Sequence, residues 1–322
     1  MNFSLLVENL TNPALLFFVL GLIAVLVKSD LEIPPNSSKF ISLYLLFAIG
    51  FKGGQELAHE TLNLEILWSI IFAMAVASFI PIYTFFILRR KLSIYDAGAV
   101  AAAYGSISAV TFVTAVSYLE IQEMVLHGHM VAIMALMEAP AIVIGLLLIS
   151  TFTDNETKSD KVKKRVVFKH SLTNGSVFLI LGSLFIGFLA SDAQAEGIKP
   201  FTNDIFKGFL AIFLLDMGIV SGRKLGSFFS YGWFPLVFAI IIPLANGSVV
   251  ALFSSMVTDD VSNRFILAVL SASASYIAVP AAMKMTVPQA NPGLFLPMAL
   301  AVTFPINITL GMPLYFLLAS QF

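Results

Sequence analysis

The stretch "SASASYIAVPAAMK", Ser271 to Lys284, places three serines, a tyrosine and a proline inside an otherwise apolar region. Hydroxyl side chains and proline are out of place in a plain lipid-facing helix. A proline removes a backbone donor, and any carbonyl it frees must find a partner other than lipid. The first half of the chain holds a similar stretch, "AYGSISAVTFVTAV", Ala103 to Val116. Both put small and hydroxyl residues where an aliphatic run is expected.

The surroundings of these stretches decide the class of protein. Of 322 residues, 58% are hydrophobic and 11% charged, and the mean hydropathy is +0.93. Soluble domains carry roughly a quarter charged residues. The chain is therefore read as all-α and membrane-embedded, with the lipid bilayer as its first partner. It has no cysteine, which excludes disulfides and thiolate chemistry, and its net charge of -1 gives no sign of a nucleic-acid partner. The N-terminus lacks a basic region ahead of its first apolar run, so no cleaved leader is expected. P-loop, dinucleotide and nucleophile-elbow motifs are absent, so neither an enzyme nor an ATP-driven pump is expected.

Runs of about 20 apolar residues cross a bilayer as helices. The candidates are Asn12–Lys28, Phe40–Leu57, Leu64–Leu88, Asp96–Leu119, Met130–Thr151, Ser176–Ala190, Phe209–Val220, Tyr231–Met256, Phe265–Met285 and Leu294–Leu318. That makes about ten transmembrane helices. Phe40–Leu57 and Phe209–Val220 are short or glycine-broken. Fourteen of the 18 Lys and Arg residues fall on the odd-numbered connections. The positive-inside rule then puts those connections in the cytoplasm and both termini outside. The expected location is a bacterial inner (plasma) membrane.

One polar segment, 153–175, divides the chain into a first repeat over 1–152 and a second over 176–322, and is read as a cytoplasmic linker. "KFISLYLLFAIGFKGGQEL" (Lys39–Leu57) and "KGFLAIFLLDMGIVSGRKL" (Lys207–Leu225) superpose at a shift of 168 residues, and Trp68 and Pro140 meet Trp233 and Pro305 at a shift of 165. About five spans per half is an odd number, so the second half enters the membrane from the opposite side. This 5+5 inverted repeat is the common plan of secondary transporters, with substrate and ion held near the midplane by interrupted helices. The interruptions are expected in the fourth and ninth helices.

Half-helix N-termini favour an anion there, and carbonyl and hydroxyl oxygens suit Na+. The candidate ligands are Ser106, Ser108 and Thr111 in the first stretch and Ser271, Ser273 and Ser275 in the second. Small residues also let helices pack closely, and serine back-bonds to its own helix, so a packing role stands beside the ligand role. Glu138, in "LMEAPAI", is an acid inside an apolar helix, where an unpaired carboxylate costs about 3 kcal/mol. It is expected to ligate Na+, carry a proton or bond a broken helix end. Its repeat counterpart is Thr303. Asp216 is a second intramembrane acid, expected nearer the headgroups. His127 and His129 have no acid at metal-ligand spacing in sequence, so no transition-metal site is expected.

The blocks "IGFKGGQEL", "GSISAVTFVTAVSYLE", "EAPAIV", "GRKL" and "VPQANPGLFLPMALAVTFPINITLGMPLY" resemble the sodium-dependent bicarbonate transporter family over nearly the whole chain. The resemblance implies Na+-coupled symport of bicarbonate by an elevator-like movement, a homotrimer and a PII-like regulatory partner. It also implies substrate binding where the two interrupted helices cross, which brings in Tyr276. There Tyr276, Ala278 and Val279 replace an acid, a serine and a glycine of the family pattern, and Ala109 replaces a glycine. Another small anion, coupled to sodium or protons on the same fold, is the alternative; a non-transporting membrane sensor that binds a signalling protein is the second.

Overall fold

The computed structural model describes residues 13–60, 63–153, 175–228, 231–276 and 278–321. The N-terminal twelve residues, on whose side of the membrane the sequence reading bears, and the linker between 153 and 175 lie outside the described residues. Among the described residues every regular element is helical. In chain order these are α1 (Pro13–Leu26), α2 (Pro35–His59), α3 (Leu64–Leu88), α4 (Ile94–Gly105), α5 (Ala109–Ile121), α6 (Gly128–Phe152) and α7 (Gly175–Leu189). There follow α8 (Asp192–Lys199), α9 (Phe206–Phe228), α10 (Trp233–Phe253), α11 (Val261–Ala272), α12 (Ala278–Thr286) and the long α13 (Pro292–Gln321).

Among the described residues six segments are long and apolar enough to cross a membrane: Leu64–Leu88, Ile94–Ile121, Gly128–Phe152, Asp192–Lys224, Trp233–Met256 and Pro292–Gln321. Leu16–Leu26, Phe178–Leu189 and Val261–Ala272 are shorter apolar helices. The chain is thus a multi-pass membrane protein. Local chemistry starts several of these helices. Asn63 accepts a hydrogen bond from Ile66 N at 2.9 Å to begin α3, and Asp260 accepts one from Asn263 N at 2.8 Å to begin α11. Such caps occupy amides that a helix leaves without internal partners.

The two glycine-bearing runs are continuous helices, 25 residues in α2 and 23 in α9. Their glycines make contacts and do not break the chain. α1 packs along α9, and α7 along α2. At the first seam, a Cβ on Gly21 would come within 2.3 Å of the Leu215 carbonyl oxygen and one on Gly218 within 2.1 Å of the Phe18 carbonyl oxygen. The second seam repeats the pattern: a Cβ on Gly54 would reach 2.1 Å from Leu184 O, and one on Gly187 2.2 Å from Phe51 O. Backbones meet directly there, as small residues allow in membrane helices.

The apolar interior is divided in a way that matters for the site. α5 and α11 pack in one buried cluster with α1, α2, α7 and α9, while α4 and α12 pack in a second with the start of α13. The two interruptions, after Gly105 and after Ala272, lie where the clusters meet. Each broken pair therefore sends one half into each cluster.

A charged knot closes one end of the bundle. Glu60, just past α2, accepts from Gly128 N at 2.7 Å and meets His129 Nδ1 at 2.8 Å and His127 Nδ1 at 3.5 Å. His127 Nε2 lies 3.4 Å from Asp260. Two acids distant in sequence thus face the histidine pair. Among the described residues no group of three or more His, Cys, Asp or Glu side chains is arranged to hold a metal ion. Hydrogen bonds to Asp260 and then Glu60 push His127 up to about 10. Burial pushes Glu60 up, but its bonds to His127 and His129 outweigh it and hold it down to about 2.

Two outcomes follow. Gly218→Ala inserts a methyl group against a carbonyl that has no room to retreat, and should cost about 1–3 kcal/mol in the thermal unfolding of detergent-solubilised protein. Because His127 is raised on folding from an ordinary value near 6.5, its contribution is complete below pH 6.5 and is lost as pH rises towards about 10. Solvent reaches the pair, so the contribution is on the order of 1 kcal/mol. The melting temperature should decline across that window, and His127→Ala should flatten the decline.

Candidate functional site

α4 stops at Gly105 because Ser106 turns extended, with φ −92° and ψ 166°. Ser108 then starts α5 by accepting from Thr111 N at 3.2 Å. In the second half, α11 stops at Ser273, with φ −80° and ψ 166°, and α12 begins at Ala278. Both stops come at a serine in nearly the same conformation.

The two breaks satisfy each other. The Ser108 amide donates to Ser273 Oγ at 3.0 Å, and the Ser275 amide donates to the Ala103 carbonyl at 2.8 Å. Ser273 Oγ also donates to the Leu270 carbonyl at 2.7 Å, and Ser275 Oγ accepts from Val279 N at 3.3 Å. Asn307, on α13, donates to the Ala272 carbonyl at 2.7 Å and in turn accepts from Tyr315 Oη at 3.0 Å. Backbone groups freed by the interruptions are thereby paired inside the protein, away from lipid.

Beside the crossing is a small cavity of about 20 Å³, lined by Ile107, Ser108, Ala109, Glu138, Ser275, Tyr276 and Ala278. It has room for one water-sized species. Glu138 is buried, and its Oε1 has no hydrogen-bond partner among the described residues. Among the described residues no lysine or arginine lines the cavity. An anion there would be held by the first-turn amides of α5 and α12 and by hydroxyls, and a cation by Glu138 and hydroxyl oxygens.

The candidate residues separate into groups. Ser108, Ser275, Tyr276 and Glu138 line the cavity, and Ser273 bonds directly to its wall. Thr111 contributes its amide to the Ser108 cap. Ser106 is buried, one residue outside the lining, and its Oγ has no partner among the described residues. Ser271 instead donates to the Ala268 carbonyl of its own helix at 2.8 Å, the packing alternative for a membrane serine. Thr303 lies apart from the cavity, bonded to Tyr104 Oη at 2.7 Å and to the Ala239 carbonyl at 2.8 Å.

A second cavity, of about 930 Å³, lies between α2, α7 and α9 and reaches down to Tyr276 and Leu300. Its wall includes Ser38, Lys39, Ser42, Asp216, Met217 and Arg223. Asp216 is buried in this wall and accepts a hydrogen bond from Ser38 Oγ. On the far side of the crossing, Glu120 at the end of α5 meets Lys52 Nζ at 2.8 Å and Lys207 Nζ at 3.7 Å. These three residues border a third cavity, of about 350 Å³.

Sequence reasoning missed Asn307, Asp216's recess and the Lys52, Glu120 and Lys207 cluster. A buried asparagine in the apolar "PINIT" was the available signal for the first. Many membrane-spanning helices, two of them broken around a polar crossing with a buried acid, define a multi-pass membrane protein of the transporter type. The chain belongs to the Na+-dependent bicarbonate transporter superfamily, whose sequence profile matches residues 13–320. No curated protein matches it.

Asn307→Ala leaves the Ala272 carbonyl buried without a partner and should cost about 1–3 kcal/mol. Thermal unfolding of the purified protein measures this, and an unchanged melting temperature would remove Asn307 from the support of the crossing.

Proposed function

We propose that this chain is a secondary active transporter that takes up bicarbonate in symport with Na+. The observation that carries the reading is the Ser108 to Ser273 hydrogen bond beside Glu138, whose Oε1 has no partner among the described residues. Ser108 and Ser273 are 165 residues apart, the same shift that relates Trp68 to Trp233. Equivalent residues of two halves meet where a pseudo-two-fold axis would pass. The matched glycine seams, α1 with α9 and α7 with α2, support the same inverted repeat. On this reading the fold is the 5+5 plan with ten crossings, two of them interrupted.

Ser108, Ser275 and the first-turn amides bind the anion, and Glu138 with hydroxyl oxygens takes the Na+. The inner cavity is too small for bicarbonate together with an ion, so loading requires the crossing to open. The asymmetry of the two sides supports alternating access. The 930 Å³ cavity leads in from the Lys39 and Arg223 end, while Glu120 ties α5 to Lys52 and Lys207 at the other end. With the positive-inside assignment, this is an inward-facing arrangement of an elevator-type carrier in the bacterial plasma membrane. The homotrimer and the PII-like regulator are implications of the resemblance, and the division at 153–175 rests on the polar segment of the sequence.

Purified protein in liposomes should accumulate radiolabelled bicarbonate at fixed pH only under an inward Na+ gradient. Glu138→Gln should lower that uptake by about tenfold or more while the protein still elutes as a folded species. Replacing Ser273 and Ser275 together by alanine should raise the Na+ concentration needed. Uptake indifferent to Na+ would dismiss the coupling, and uptake of a different anion that bicarbonate fails to inhibit would favour the alternative substrate class.

A further inference from the structure

Among the described residues, Tyr276 alone lines both the 930 Å³ recess and the 20 Å³ inner cavity. On the recess side its neighbours include Met217, Val220 and Leu300; on the inner side they are Ser108, Glu138 and Ala278. Its hydroxyl reaches Met217 Sδ at 3.9 Å. From these contacts we infer that Tyr276 is the gate between the recess and the ion and anion site. This deepens the proposed function, since it rests on the inner cavity being that site.

Three features suit the residue to the task. It stands in the interruption between Ala272 and Ala278, where the backbone lacks a continuous helical ladder to resist a turn of the side chain. Its contact with Met217 is a weak hydroxyl to thioether contact, so swinging away costs little on that side. Its flat ring is large enough to fill the passage, and the hydroxyl at its tip keeps a polar group on the path. An entering anion can accept from that hydroxyl once it turns from Met217. Lys39 and Arg223 in the recess wall attract an anion to its mouth.

The gate has a readout that needs no transport. The chain contains no cysteine, so one introduced thiol is unique. Ala278→Cys puts it on the inner cavity, and Ser42→Cys puts it on the recess; neither position lines the other space. Each is made with Tyr276, Tyr276→Phe and Tyr276→Ala, and the purified protein is treated in detergent with a small charged methanethiosulfonate.

At Ser42→Cys the rate should be fast and equal in all three backgrounds. At Ala278→Cys it should be slow with Tyr or Phe at 276. Tyr276→Ala should raise it about tenfold or more, since a gate open a tenth of the time or less limits access by that factor. Should Tyr276→Ala aggregate on gel filtration, Tyr276→Val serves in its place. Equal rates at Ala278→Cys with and without the ring would overturn the gate, and so would Tyr276→Phe reacting as fast as Tyr276→Ala. Because no substrate is present, a chain that shows the rate switch but moves no bicarbonate keeps its gate and loses only the transport reading.

Discussion

A helix cannot be interrupted in hydrocarbon unless the amides and carbonyls it frees find partners within the protein. This constraint organises the centre of the molecule. Each interruption is the other's partner: the Ser108 amide goes to Ser273, and the Ser275 amide to the Ala103 carbonyl. Neither break is tenable alone, so the two halves of the chain are tied together at their least regular points. Asn307 supplies what the pair leaves over, by bonding the last carbonyl of α11. The polar crossing is then available for ligands because its own backbone needs are met.

Around that centre the molecule is unequal from end to end. One side carries a large recess walled by α2, α7 and α9; the other is drawn together by Glu120 between two lysines. The helices that frame this contrast meet along glycine seams so close that a single methyl group would strike a backbone oxygen. Rigid close contact in the frame and loose polar contact at the crossing divide the labour. Where backbones touch directly, movement is resisted by many contacts at once, whereas the crossing is held by a few hydrogen bonds of about 1 kcal/mol each.

Much of this was legible in the sequence because membrane helices announce themselves by length and apolarity. The serines of "GSIS" and "SASAS" marked the interruptions, since hydroxyl groups clustered in an apolar run find no hydrogen-bond partner in lipid and must meet one inside the protein. Glu138 stood out for the same reason. What stayed hidden depended on three-dimensional adjacency. Ser271 and Ser273 are two residues apart and both back-bond to their own helix, yet Ser273 also accepts from the opposite break. Thr303 aligns with Glu138 but faces Tyr104, because the second half sets its last helix against α4 and α10 at that level. Glycines in α2 and α9 read as weaknesses, and only the neighbouring helix shows them to be contact points. The charged knot of Glu60, His127, His129 and Asp260 assembles from three separate segments, a distance that no local spacing encodes.

The size of the inner cavity has a consequence for the hydration of whatever enters it. On the proposed reading, an ion held in about 20 Å³ would shed its water shell and take one carboxylate and a few hydroxyl oxygens in its place. Mg2+ gives up its water reluctantly, and Ca2+ asks for six to eight oxygens. Neither would recover there what it left behind in solvent. A singly charged ion loses far less on dehydration, and one carboxylate balances its charge. On the proposed reading, the small volume beside Glu138 would act as a filter on hydration energy that favours singly charged cations over divalent ones.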